Sequence, residues 1–153
     1  MTLAAPLHAL SCAPHGVDNV LHKIKTSPDG YVAAVGTLSY NPAHVPKSHS
    51  ETLSIDLDEF RIKARFKGKT LGRSGFKTPV DSPVTIELSC FNGWCAFLEP
   101  DRQVLAFLKV TPKGYTLAAD PCGSDMFFDP KPKMLKATQD CYLRGKCPPK
   151  PRF

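Results

Sequence analysis

Six cysteines, at positions 12, 90, 95, 122, 141 and 147, constrain this chain more than any other feature. The count is even, and none lies in a Cys-x-x-Cys pair. Structural zinc usually takes two close pairs of ligands, because neighbouring thiolates fill half a tetrahedron at little entropic cost. Here four residues separate Cys90 from Cys95 and five separate Cys141 from Cys147, with no His near either pair. The pattern reads as three disulfides rather than a metal site, so no cofactor is expected. Disulfides persist in oxidising compartments, which predicts a periplasmic or secreted protein. Six cysteines allow fifteen pairings, and spacing does not choose among them. If the two short-range pairs form, Cys12 and Cys122 remain, and their bridge closes a loop of about a hundred residues.

The chain of 153 residues suits one domain. With 42% apolar and 22% charged residues it is no disordered charged tail. No apolar run approaches the roughly 18 to 20 residues of a membrane-spanning helix, so no transmembrane segment is expected. Residues 1–9 resemble the end of a secretory signal, with Leu7-His8-Ala9 as cleavage site, but lack a basic start and a long apolar core. Residues 1–9 are therefore read as a signal-peptide remnant, 10–147 as the folded domain, and 148–153 as a Pro-rich tail.

Val17, Val20, Leu21 and Ile24 share one face of a short helix, which Pro28-Asp29-Gly30 ends. Tyr31 to Tyr40 alternates as a strand, with Gly36 marking a bend or bulge. Leu53, Ile55 and Leu57 alternate, then Phe60, Ile62, Ala64 and Phe66 alternate in the opposite phase, which predicts a bulge or tight turn at Asp58-Glu59. Phe66-Lys67-Gly68 is expected to lead into a Gly-, Lys- and Pro-containing loop to Pro83. Val84 to Cys90 is a clean strand, and Phe91-Asn92-Gly93-Trp94 turns inside the Cys90–Cys95 interval, with Trp94 expected as a lid on a disulfide. Val104 to Val110 is apolar on both faces, as in a central strand, and Tyr115 to Ala119 is its partner across Pro112-Lys113-Gly114. From Pro130 the period is helical, Met134, Leu135, Thr138, Cys141 and Tyr142 sharing a face, with Gly145 as the stop. The fold class is mainly β: five strands suited to a small Greek-key barrel, with a short helix before and a helix behind.

This order of signals resembles the netrin-like domain, the five-stranded OB-type module shared with tissue inhibitors of metalloproteinases. Ser11-Cys12-Ala13-Pro14 and the helix after it are similar to that family's Cys-rich start. Val32 to Gly36 and Phe66-Lys67-Gly68 resemble its first strand and the end of its second. Trp94-Cys95, Val104 to Leu108, and Tyr115 to Cys122 resemble the later part of bacterial-type members. The resemblance implies a bond from Cys12 to Cys122, the family's link between its N-terminal segment and the end of the last barrel strand. It also offers an alternative function, inhibition of a zinc protease through the N-terminal segment Leu10, Ser11 and Cys12. Cleavage after Ala9 would leave Leu10, not a cysteine, at the terminus, which leaves the α-amine less preorganised.

Arg61, Lys63, Arg65, Lys67 and Lys69 occupy successive odd positions, with no acidic residue between Phe60 and Val80, and Arg73 and Lys77 add to the cluster in a chain of net charge +6. On a strand these side chains stand on one face about 6.6 Å apart. Such a face repels itself, and an anionic partner relieves the repulsion. A sulfated or phosphorylated group, an acidic polysaccharide or a protein would suit it; a solvated face that discourages edge pairing is the plainer reading. OB-type barrels also bind single-stranded nucleic acid by stacking bases on aromatics, but here Phe60 and Phe66 should point inward. No catalytic site assembles: Gly72-Arg73-Ser74-Gly75 is not a nucleophile elbow, and His15, His22, His44 and His49 read as surface imidazoles. A non-enzymatic binding module is the expectation.

Overall fold

The computed structural model describes residues 12–149. The signal-like remnant, Leu10, Ser11 and the end of the Pro-rich tail lie outside the described residues. The chain is mainly β, with a helix near each end. In order come α1 (Val17–Thr26), β1 (Tyr31–Tyr40), a single 3-10 turn (Pro42–His44), β2 (Leu57–Gly72), β3 (Gly75–Phe91), β4 (Trp94–Cys95), β5 (Gln103–Thr111), β6 (Gly114–Ala119), β7 (Met126–Phe128) and α2 (Pro132–Arg144). Among the described residues no helix is long and apolar enough to cross a membrane.

Both helices follow the sequence periodicity. Val20 and Leu21 are the buried positions of α1, and Thr138 and Cys141 those of α2. Gly145 ends α2 at φ 65°, where its N–H reaches the carbonyl of Cys141, a left-handed cap that glycine adopts without a Cβ penalty.

The strand pairings run β1–β2–β3–β6–β5, and β5 also pairs with β1. All of these are antiparallel except β3–β6, which is parallel. β1 joins the two ends of the sequence of pairings by changing partner along its length. Residues 31–37 pair with β5 and 34–40 with β2. The expected irregularity at Gly36 is thus a close crossing with no slip of register. Gly36 lies directly opposite Gly68.

Two apolar layers result. Alternate residues of β5, Val104, Ala106 and Leu108, enter one core with Leu38, Ile62, Phe66, Ile86 and Leu117. Its other face puts Leu105 and Phe107 into a second core with Ala33, Val20, Leu21 and Cys141 beneath the helices. That is why β5 is apolar on both faces.

Two sequence expectations fail around β2. Leu53 and Ile55 are not its first residues: β2 begins at Leu57 and stays in register with β3 as far as Thr70, so no bulge or turn occurs at Asp58-Glu59. Leu53 instead tucks against the first core from a loop. The predicted loop to Pro83 is also absent. β2 and β3 form one long ribbon closed by the two-residue turn Arg73-Ser74, with Lys77 as the extra residue at its single irregularity. Pro79 and Pro83 lie in β3 where it is paired with β2 alone, the edge setting in which a missing N–H is tolerated.

Two tyrosines bear on how the fold should respond to base. The hydroxyls of Tyr40 and Tyr142 are buried with no hydrogen-bond partner among the described residues. Burial, reinforced by Asp101 and Glu99 at Tyr40 and by Tyr31 and Asp125 at Tyr142, pushes each phenol up to about 12 from 10.0. A group whose pKa is raised on folding contributes fully below its unfolded value, and that contribution is lost as pH climbs through the folded value. Melting temperature should therefore fall between pH 10 and about 12, and the double change Tyr40→Phe, Tyr142→Phe should flatten that fall in a pH series of thermal melts.

Candidate functional site

The basic face is built by the alternation of β2. Ile62 and Phe66 are fully buried, Phe60 and Ala64 partly so, and the intervening Arg61, Lys63, Arg65, Lys67 and Lys69 are all exposed. Arg73 is exposed in the turn at the ribbon's end. The aromatics that alternate with the cations thus face the core, leaving none between the cations on the outer face.

Charge along this face is less uniform than the sequence suggested. Opposite β2, in order from Arg61 to Lys69, β3 presents Glu87, Thr85, Pro83, Asp81 and Pro79. Arg65 Nε donates to Asp81 Oδ1 at 2.6 Å, and Glu87 lies across from Arg61. The run 60–80 lacks acids, but the strand that folds back on it brings two. Among the described residues Arg61, Lys63, Lys67, Lys69 and Arg73 make no ion pair within 4.0 Å. With Glu87 across from Arg61 and Asp81 across from Lys67, the uncompensated charge is concentrated at Lys63, Lys69 and the turn, and exposed pairs such as Arg65–Asp81 are worth only about 0 to 1 kcal/mol.

The three disulfides join Cys12 to Cys122, Cys90 to Cys95 and Cys141 to Cys147. Cys12 of the candidate N-terminal segment is thereby fixed after β6. His15 reinforces the attachment: its Nε2 lies 2.9 Å from the carbonyl oxygen of Ser124, and its ring stacks on Phe127 with centroids 5.7 Å apart. His15 is exposed, but it holds the N-terminal segment in place.

The Cys90–Cys95 bridge spans a two-residue hairpin turn, Asn92-Gly93, both at positive φ. Leu57 pairs with Phe91 and Phe91 with Trp94, so the three side chains form a row on one side of the ribbon. They are 54%, 48% and 39% exposed, and Ile55, two residues before Leu57 in the chain, is 80% exposed. Trp94 is not a buried lid; its ring meets His49 edge-on at 4.5 Å. Sequence reading missed this row because its members come from three strands, and only the register brings them together.

Arg102 holds Glu99 and Asp129 and lies 4.9 Å over the Phe128 ring. The hydrogen bond to Arg102 holds the Asp129 carboxyl below its ordinary range. This cluster ties β5 to the loop after β7.

Comparison with protein-family models, with curated proteins and with solved structures finds no match to this chain.

Proposed function

We propose that this chain is an exported, non-enzymatic binding module of netrin-like type, a five-stranded OB-type barrel that holds an anionic partner on the outer face of β2. Three observations support the architecture: the pairings lead from β1 round to β1 again, one of them is parallel, and Cys12 bonds Cys122. Three disulfides and the lack of a spanning helix among the described residues agree with an extracellular or periplasmic site.

The functional reading rests on one observation, the exposed row of basic side chains on β2, most of it without acidic partners. A partner rich in sulfate, phosphate or carboxylate groups would replace self-repulsion by attraction. Heparin-agarose supplies such groups. The protein should be retained at low salt and released as the Debye length shrinks to about 8 Å near 0.15 M. The triple change Lys63→Glu, Lys67→Glu, Lys69→Glu should abolish retention, with a thermal melt showing that the reversed protein is folded, since a Glu at 67 would face Asp81. Equal retention of the reversed protein would refute the reading.

A further inference from the structure

Where Lys67 and Lys69 end the basic row, the outer surface sinks into a trough of about 440 Å³, within the size range of small-molecule sites, about 300 to 1,000 Å³. Its base is backbone, formed where β1 and β2 cross at Gly36 and Gly68. Val35, Phe76 and Leu135 supply apolar walls from β1, β3 and α2. Thr37 and Gln103 add two uncharged polar groups, and among the described residues the charged ones that line it are Lys67 and Lys69. A larger cavity of about 610 Å³ between the start of α1 and α2 has Asp18 beside Lys131 and Lys133, so its charge is mixed. The trough is cationic at one rim and apolar along its walls.

We infer that this trough binds an amphipathic anion, a molecule with a carboxylate or phosphate head and an unbranched apolar body. The head would sit between the ammonium groups of Lys67 and Lys69, which make no ion pair with the described residues. Two cations on successive outward positions stand about 6.6 Å apart, a gap that an anion can bridge with charge-assisted hydrogen bonds. The apolar body would lie against Val35, Phe76 and Leu135, covering surface at the margin of the second core. A purely polar polyanion leaves those walls wet, and an uncharged apolar molecule leaves the lysines unpaired. The inference shares Lys67 and Lys69 with the basic face but adds an apolar requirement.

Titration calorimetry with dodecanoate and with dodecyl phosphate, both below their aggregation concentrations, tests it. One molecule should bind per chain, and dodecanol, acetate and inorganic phosphate should each bind at least about tenfold more weakly, the factor set by 1.4 kcal/mol. Lys67→Gln, Lys69→Gln should weaken dodecanoate by a similar factor. Thr37→Phe, which fills the trough from β1, should block dodecanoate and leave heparin retention intact; a thermal melt establishes that each variant is folded. The two head groups distinguish a carboxylate from a phosphate ligand. Binding independent of chain length, or unchanged in the lysine variant, would overturn the trough assignment. If no amphiphile binds while heparin is retained, the trough fails and the basic face stands; if heparin is not retained either, both fail.

Discussion

Replacing Cys12 and Cys122 together with Ser should lower the free energy of unfolding by about 4 to 5 kcal/mol. The bridge spans 110 positions, and a cross-link of that span removes more freedom from the unfolded chain than either short bridge, which span 5 and 6. Since whole domains hold about 5 to 15 kcal/mol, the loss consumes a large share of the total. The folded state should nevertheless survive, because α1 is also held by Val20 and Leu21 in the second core. Urea titration should therefore show a lower midpoint with native circular dichroism in water. Hydrogen exchange should quicken in α1 and around Ser124, where His15 docks. A midpoint unchanged by the double substitution would mean that the bridge contributes nothing to the body of the fold.

The second large effect is at the β1–β2 crossing. A Cβ on Gly36 would lie 2.3 Å from the carbonyl oxygen of Lys67 and 2.7 Å from the Cα of Gly68; one on Gly68 would lie 2.1 Å from the carbonyl oxygen of Val35. Both obstacles are backbone, so no rotamer change relieves them. Gly36→Ala or Gly68→Ala must push the strands apart where β1 changes partner from β5 to β2. The expected cost is at least about 3 kcal/mol, the upper end for overpacked cores. Gly68→Val should leave little folded protein. Gly72→Ala, whose nearest contact would be the Thr78 hydroxyl at 3.4 Å, is the matched control. A melting temperature for Gly68→Ala equal to that of the control would refute the close crossing.

What the sequence disclosed depended on whether the signal was local. α1 and α2 were legible from their 3.6-residue periods, and β5 from an apolar run buried on both faces. The even cysteine count pointed to disulfides, while the bond between Cys12 and Cys122 was an expectation from the resemblance that the structure matches. The basic row was legible because alternation alone places Arg61 to Lys69 on one face. Its partial neutralisation was not, since Asp81 and Glu87 come from the next strand and depend on register. Pro79 and Pro83 disguised the first half of β3 as a loop, because a proline reads as a strand breaker until the open edge is seen. Ile55 misled in the opposite sense: its alternation with Leu53 and Leu57 suggested a strand, whereas it stands exposed in the loop before β2. The apolar row Leu57–Phe91–Trp94 and the trough beside Lys67 needed three dimensions. Each gathers residues from at least three elements.

The most direct test of the stapled framework is a peptide map of native protein, alkylated and digested without reduction. Cleavage at Arg144 and Lys146 separates Cys141 from Cys147, so their bond appears as two linked peptides. No Lys or Arg lies between Cys90 and Cys95, so their bond appears within a single peptide, two mass units lighter than its reduced form. The framework predicts those two species and a third that joins the peptides of Cys12 and Cys122. Alkylated cysteines, or Cys12 bonded to any residue but Cys122, would contradict it.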